Sequence, residues 1–438
     1  MARISIFGIG YVGVVAAACL AKDGHDVIAV DVDAGKIDAI NQGLSPIVEN
    51  GLYDLVKEVV ATGKLSATDD VEYAINSTDA SFVCVGTPSG PDGSVGLKYV
   101  ELVCQNIGTA LANKDDFHSV IIRSTIVPGS CEGTCIPVLE AASGKKAGTE
   151  FGVGYYPEFL RESTAIEDYY NPGLIAFGAL DDVTRVILTD LNKDMNCEIH
   201  NVDLRTAEMV KYTSNIWRAV KVTFANEIGN IAQSCGLDGQ SVMEILCSDH
   251  KVNMSPYFMR PGFAFGGSCL PKDVRALRHL AAVNNISAPL LHAVLEANEA
   301  QIGKAEAMIK SFNAKKVGFV GISFKPGTDD MRESPLAELA ARLIKTGVVV
   351  EIYDPFVHEA YANENSTAGR GNEVVPDLKD RLNPDLSSMI KGSDAIVVGN
   401  IYKDTLDELV AVNDKPMIDL TRISRNRVSG DDYHGICW

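Results

Sequence analysis

Residues 3–22 read RISIFGIGYVGVVAAACLAK. A short apolar β run runs directly into Gly8-Ile9-Gly10-Tyr11-Val12-Gly13, and a helical stretch over 14–22 follows. Three glycines at this spacing allow a tight turn and let the backbone approach a pyrophosphate closely. The helix N-terminus behind them favours the phosphate charge. A second strand over 27–30 is closed by Asp31, at the distance the dinucleotide fingerprint requires. Asp31 suits the hydroxyls of an adenosine ribose and repels a 2′-phosphate, which predicts NAD over NADP.

Working outward, further strands are expected at 81–85, 119–124 and 151–154, with helical stretches between most of them. That alternation implies a parallel sheet covered on both faces. The texture changes after about residue 200. Residues 206–235 contain no Pro and only Gly229, with apolar residues at helical spacing, and Gly236 supplies a stop. A helix of that length suits a spine between domains and a contact between subunits. A third region begins near residue 315, with strands expected at 317–320, 348–353, 395–398 and 417–420. Its "VGFVGIS…VVEIYDP" echoes "ISIFGIG…VIAVDVD" of the N-terminal half. The expected fold class is α/β: two Rossmann-like doubly wound domains joined by a long central helix.

The chain has 438 residues, room for two to three domains. Hydrophobic residues make up 46%, enough for large cores. The formal net charge of -19 argues against nucleic acid or an anionic membrane as partner. An anionic ligand must then be met by locally placed Lys and Arg. The 10 cysteines are scattered without zinc-like spacing, so no metal site is expected, and the usage suits a reducing cytosol. With no basic leader and no long apolar span, a cytoplasmic location is expected.

The chemistry concentrates in Phe263-Ala264-Phe265-Gly266-Gly267-Ser268-Cys269-Leu270-Pro271-Lys272-Asp273. Glycines there let the backbone come close to a ligand, and a nearby cation lowers a thiol pKa toward the nucleophilic thiolate. Cys269 beside a dinucleotide site suggests oxidation through a covalent thioester. Upstream, Tyr257-Phe258-Met259-Arg260 is an aromatic–arginine segment suited to a base or a phosphate. Thr87 and Thr125 follow expected strands, where ligands bind in such sheets; turn chemistry accounts for them equally well. Glu158 and Glu162 are candidates for a water-activating base and a substrate contact, and each also suits a solvated helix start. Lys211, Asn215 and Arg218 share one face of the long helix. An ammonium beside an amide can stabilise an oxyanion, though a surface stripe has the same spacing. Lys325 and Arg332 place two cations after the first strand of the last region.

These motifs together resemble the nucleotide-sugar 6-dehydrogenase family, and within it the GDP-mannose branch. The matching pieces, at 8–13, 85–88, 123–125, 157–162, 211–215, 224–229, 260–273 and 325–335, run in family order along nearly the whole chain. The resemblance implies four-electron oxidation of a primary alcohol to a carboxylate with two NAD, on GDP-mannose or a related nucleotide sugar such as UDP-glucose or UDP-N-acetylmannosamine. It divides the chain into an NAD-binding domain over 1–200, a central helical dimerisation and catalytic segment over 201–300, and a nucleotide-sugar-binding domain over 301–438. It makes Cys269 the nucleophile, Lys211 and Asn215 the oxyanion stabilisers, and Thr125, Glu158 and Asp273 the groups that orient or activate water. Gly8, Gly10, Tyr11, Val12, Gly13, Asp31, Lys36, Thr87, Thr125, Lys272 and Arg332 match cofactor positions. Glu162, Lys211, Asn215, Asn226, Tyr257, Met259, Arg260, Phe263 and Lys325 match substrate positions, and Arg218 and Phe258 lie among them. Three residues depart from the pattern: Arg218 in place of histidine, Phe258 in place of a second tyrosine, and Tyr156 in place of asparagine. A homodimer or higher homo-oligomer, with a site completed by the partner chain, is also implied.

Overall fold

The computed structural model describes residues 1–88, 90, 94–161, 163–255, 258, 261–267, 270–362 and 374–438. The backbone forms two compact units, Met1–Ala219 and Val220–Trp438.

The first unit is built on eight strands: β1 (Arg3–Phe7), β2 (Asp26–Val30), β3 (Leu65–Thr68), β4 (Ala80–Val83), β5 (Ser119–Ile122), β6 (Gly152–Tyr155), β7 (Ile175–Ala179) and β8 (Ile199–Val202). Their order is β3-β2-β1-β4-β5-β6-β7-β8. All pairings are parallel except β6 with β7. The first six follow the Rossmann order, with the switch point between β1 and β4. Residues of β4, β5 and β6 are buried throughout, as expected where helices cover both faces of a parallel sheet. On one face Ile4, Ile6 and Phe82 pack against the helix Tyr11–Lys22. On the other, Phe7, Val83, Val120 and Ile122 pack against the helix Lys98–Leu111. The first helix is apolar almost all round and buries Gly13 through Ala21. Its small residues allow close packing on the strands.

The second unit carries β9 (Lys316–Val320), β10 (Val349–Tyr353), β11 (Ala395–Val398), β12 (Met417–Asp419) and β13 (Tyr433–Gly435), all parallel, in the order β10-β9-β11-β12-β13. Counted within the unit this is 2-1-3-4-5, the other common doubly wound order. The expected α/β class with two Rossmann-like sheets and a long helix therefore holds. That helix, Leu204–Ser234, runs for 31 residues, or about 46 Å.

Four strands go beyond the sequence reading. β3 (LSAT) and β8 (IHNV) are short and partly exposed, so no apolar run marks them. β7 pairs antiparallel to β6, outside the βαβ rhythm, and β13 has only three residues. Among the described residues no helix is long and apolar enough to cross a membrane.

Candidate active site

The glycine turn of the first unit is held by sterics at two of its three positions. Gly8 has φ +101°, and a Cβ there would lie 3.0 Å from the Cys84 carbonyl oxygen. A Cβ on Gly13 would sit 1.9 Å from the Gly8 carbonyl oxygen, so any larger residue separates helix from strand. Gly10 differs: a Cβ there meets nothing within 4 Å. Its open side faces the start of Tyr11–Lys22, which has no side-chain cap and no acidic residue in its first turn. Such a helix start offers amides and a positive dipole end to a phosphate.

Beside the turn lies a cavity of about 150 Å³ walled by Val30, Val71, Val85 and Leu102, with Asp31 and Asp69 on its lining. An apolar slot with carboxylates on its lining and a glycine-lined helix start beyond fits the adenosine and pyrophosphate of NAD. Asp31 has a second job that the sequence reading missed. Its Oδ2 accepts from the Ile9 amide at 2.6 Å and its Oδ1 from the Asp33 amide at 3.0 Å, with Lys36 Nζ at 3.6 Å. The same carboxylate thus anchors the glycine turn to β2. Tyr11 donates its hydroxyl to Glu49, and Glu49 also accepts from the Ser163 and Ala165 amides. Val12 packs on the core beneath. Thr87 donates to the Thr125 carbonyl at 2.8 Å, which joins the segments after β4 and β5.

A buried polar contact in this unit joins two segments flagged separately in the sequence. Lys211 Nζ lies 2.7 Å from Glu158 Oε1 and donates to the Glu158 carbonyl at 2.5 Å. Glu158 Oε2 accepts from the Leu160 amide at 2.7 Å. The two side chains are 6% and 13% exposed, so neither a surface stripe nor a solvated helix start describes them. The ring of Phe159 stands 5.5 Å from the ammonium. Asn215, one turn further along the helix, is exposed. Arg218 Nη2 reaches the Phe159 carbonyl at 3.5 Å. Glu208, buried three residues before Lys211, accepts from the Gly129 and Cys131 amides and fixes the turn after Thr125. Burial pushes its carboxyl above the usual range. Its spacing from Lys211 was the only signal that could have found it.

In the second unit the glycine pair at 266–267 is closed onto its own domain. A Cβ on Gly266 would lie 2.3 Å from the Glu333 carbonyl oxygen, and one on Gly267, at φ +86°, 2.8 Å from the Phe324 ring. Both glycines are therefore needed for close approach to protein, whereas the sequence suggested approach to a ligand. Asn298 clamps the loop from the helix Pro289–Ser311. Its Oδ1 accepts from the Phe265 amide at 2.8 Å and its Nδ2 donates to the Phe265 carbonyl at 2.9 Å. Nothing local in the sequence marks Asn298. Phe263 packs against the core of the unit.

Lys272 and Asp273 form an ion pair of 2.5 Å, with both side chains 66% exposed. Arg332 pairs with Asp330, holding that carboxyl below its usual range. Lys325 is exposed beside the Phe324 ring at 5.3 Å. Asn226 and Phe258 are also exposed, Phe258 at φ +62°. Cys269, Glu162, Tyr257, Met259 and Arg260 lie outside the described residues.

Residues 2–196, 205–300 and 318–425 match, in turn, the NAD binding domain, the central domain and the UDP binding domain of the UDP-glucose/GDP-mannose dehydrogenase family. The chain is 47% identical to GDP-mannose 6-dehydrogenase of Pseudomonas aeruginosa over 443 residues, covering all of both chains. It is 34% identical to a UDP-glucose 6-dehydrogenase of Haloferax volcanii, over 99% of this chain and all of the relative. Its fold superposes on a ternary complex of GDP-mannose dehydrogenase from Pseudomonas aeruginosa with a TM-score of 0.95, at 46% identity and full coverage of both chains.

Proposed function

The chain belongs to the UDP-glucose/GDP-mannose dehydrogenase family, and from that premise we propose that it oxidises C6 of GDP-mannose to the carboxylate through a thioester on Cys269. The observation that carries the substrate is full-length identity of 47% to GDP-mannose 6-dehydrogenase, against 34% to a UDP-glucose enzyme.

NAD, when bound, accepts one hydride in each of two oxidation steps. The chain supplies the rest. Cys269 adds to the aldehyde produced by the first oxidation, giving a thiohemiacetal; its oxidation leaves a thioester, which water cleaves to acid and free thiol. Lys211 is buried and aimed by Glu158, so its side-chain nitrogen is pre-organised for the oxyanion of each addition, with Asn215 as second donor. Glu158 holds that nitrogen through both an oxygen of its carboxylate and its own carbonyl, and its remaining lone pairs suit water activation. Thr125 and Asp273 complete the water-handling set. Gly8, Gly10, Gly13 and Asp31 hold the dinucleotide, with Tyr11, Val12, Lys36, Thr87, Lys272 and Arg332 around it. Glu162, Arg218, Asn226, Tyr257, Phe258, Met259, Arg260, Phe263 and Lys325 take the nucleotide sugar. The same reading assigns the catalytic and dimerisation role to the segment over 201–300. Exposed Ile216, Trp217 and Val222 on the long helix support a homodimer.

The test is turnover on GDP-mannose, UDP-glucose and UDP-N-acetylmannosamine side by side. Two NADH per GDP-mannose consumed, with the UDP sugars far slower, is the expected result. One NADH per turnover overturns the thioester route. Preference for a UDP sugar moves the same chemistry to another nucleotide, with Arg218 and Phe258 as the first residues to exchange.

A further inference from the structure

One row of side chains in the second unit holds two separate segments at once, and the proposed reaction does not use it. Along the helix Pro289–Ser311, Asn298, Gln301 and Lys304 follow one another three residues apart. Each is therefore the next one's neighbour on the helix surface. Asn298 takes both backbone groups of Phe265. Lys304 Nζ donates to the Ile436 carbonyl at 2.6 Å. Gln301, between them, reaches both segments. Its Nε2 donates to the Gly262 carbonyl at 2.6 Å and to Cys437 Sγ at 3.3 Å. The Cys437 thiol in turn donates to the same Gly262 carbonyl at 3.6 Å. Both lone pairs of that oxygen are thereby engaged.

The surroundings of this row are firmly seated. Glu227 of the long helix is only 5% exposed and accepts from the amides of Leu290 at 2.7 Å and Leu291 at 3.2 Å, which fixes the start of Pro289–Ser311. Ile436 is buried, and its amide donates to the Asp419 carbonyl at 3.1 Å. Trp438 packs on the core and its Nε1 donates to the Tyr433 hydroxyl at 3.0 Å. Gly262 is different. Pro261 fixes its own φ, but a glycine after it restricts nothing. Sterics do not hold Gly262 either, since a Cβ there would meet only the Leu420 carbonyl oxygen, at 3.7 Å. Hydrogen bonds from Gln301 and Cys437 are left to set the plane of the Gly262–Phe263 peptide. That peptide joins Arg260 and Pro261 to Phe263, and Arg260 and Phe263 are both assigned to the nucleotide sugar.

We propose that Gln301, with Cys437 beside it, is a positioning residue for the nucleotide sugar: it fixes the Gly262–Phe263 peptide and so aims the segment over 260–263 at the substrate. The inference rests on the dehydrogenase reading, which makes that segment a substrate contact. Gln301 acts through the backbone of Gly262, so its removal weakens nucleotide-sugar binding and leaves the hydride steps their rate.

The experiment is steady-state kinetics of the full chain on whichever of GDP-mannose, UDP-glucose and UDP-N-acetylmannosamine wild type oxidises fastest. Gln301→Glu keeps the size of the side chain and loses both donors. It raises KM for the nucleotide sugar about tenfold and leaves kcat and KM for NAD within about twofold. Cys437→Ala raises the same KM by less, and Cys437→Ser, which keeps a donor, restores it. Lys304→Met loses the bond to Ile436 and lowers Tm, but leaves that KM within about twofold of wild type. Amide hydrogen exchange without substrate becomes faster over 262–265 in Gln301→Glu and stays unchanged in β9 and β11. An unchanged nucleotide-sugar KM in folded Gln301→Glu overturns the proposal. So does an equal rise in KM for NAD, unchanged exchange over 262–265, or a rise in Lys304→Met as large as in Gln301→Glu. If Gln301→Glu does not fold, Cys437→Ala is compared with Cys437→Ser, and equal KM values in the two overturn it. Failure of the dehydrogenase reading shows in wild type, as no turnover on any of the three sugars, and takes this inference with it; failure of this inference alone shows only in the variants.

Discussion

The first βα turns of the two units begin alike and end differently. In each, a glycine at positive φ follows the first strand, Gly8 at +101° and Gly321 at +88°. Each glycine amide donates to the last carbonyl of the second strand, Val30 at 2.7 Å and Tyr353 at 2.8 Å. In each, the aspartate after that strand accepts from the next amide of the turn: Asp31 from Ile9 at 2.6 Å, and Asp354 from Ile322 at 3.0 Å. The units then diverge. After Gly8 the helix starts at Tyr11, with open amides and free space beside Gly10. After Gly321 the chain continues to Pro335 before its helix starts, and Ser334 caps that start. Asp354 is 1% exposed and also takes the amide and hydroxyl of Ser323. The added segment receives the Gly266–Gly267 loop on Phe324 and Glu333. One turn architecture therefore serves a dinucleotide where the helix N-terminus follows at once. Where a segment intervenes, it serves as a seat for the glycine pair at 266–267.

The widest contrast between the two units comes from adding one methyl group to each turn. Gly13→Ala drives a Cβ into the Gly8 carbonyl, and Gly321→Ala drives one to 2.4 Å from Asn400 Cβ. Both should lose about 2–4 kcal/mol of stability in denaturant unfolding. Only the first should weaken NAD binding in the fraction that remains folded; equal loss of NAD affinity in both breaks the comparison. Next comes the buried pair. Lys211→Met leaves the Glu158 carboxylate buried without its partner and should cost about 3–5 kcal/mol. The double variant with Glu158→Gln should recover part of that stability but no turnover. A double variant no more stable than Lys211→Met removes the pair from the account.

The aspartates give a smaller contrast. Asp354→Ala orphans several buried donors and should cost about 1–3 kcal/mol with NAD affinity unchanged. Asp31→Ala should cost about as much, but should also weaken NAD and narrow the preference over NADP. The smallest effect on stability belongs to Gly10→Ala, within about 1 kcal/mol, because the added methyl meets no protein atom. NAD affinity should still fall, since the methyl occupies the phosphate approach. Unchanged affinity there places the pyrophosphate elsewhere.

Legibility in the sequence followed the range of each interaction. The first glycine turn could be read because strand, turn, helix and aspartate lie within about 30 residues, where local sterics dictate the pattern. β3, β8 and β13 could not, because three or four residues of mixed polarity carry no period. Glu158 and Lys211 each stood out as ionisable groups near an expected strand end or helix face. Their contact lies 53 residues apart in sequence, and no local pattern encodes it. The glycines before Cys269 were visible as a constraint, but what they approach depends on Phe324 and Glu333, far along the chain. Asn298, Glu49 and Glu208 act through backbone amides of distant segments, so their own neighbours give no hint of the role.

The central claim is that the sulfur of Cys269 carries the C6 acyl group between the second oxidation and hydrolysis. Acid quench during steady-state turnover of GDP-mannose, followed by peptide mass analysis, tests it directly. The account predicts a sugar-nucleotide acyl adduct on the Cys269 peptide, lost on treatment with hydroxylamine and absent in Cys269→Ser. An unmodified peptide at every quench time, together with full acid formation by Cys269→Ser, contradicts it.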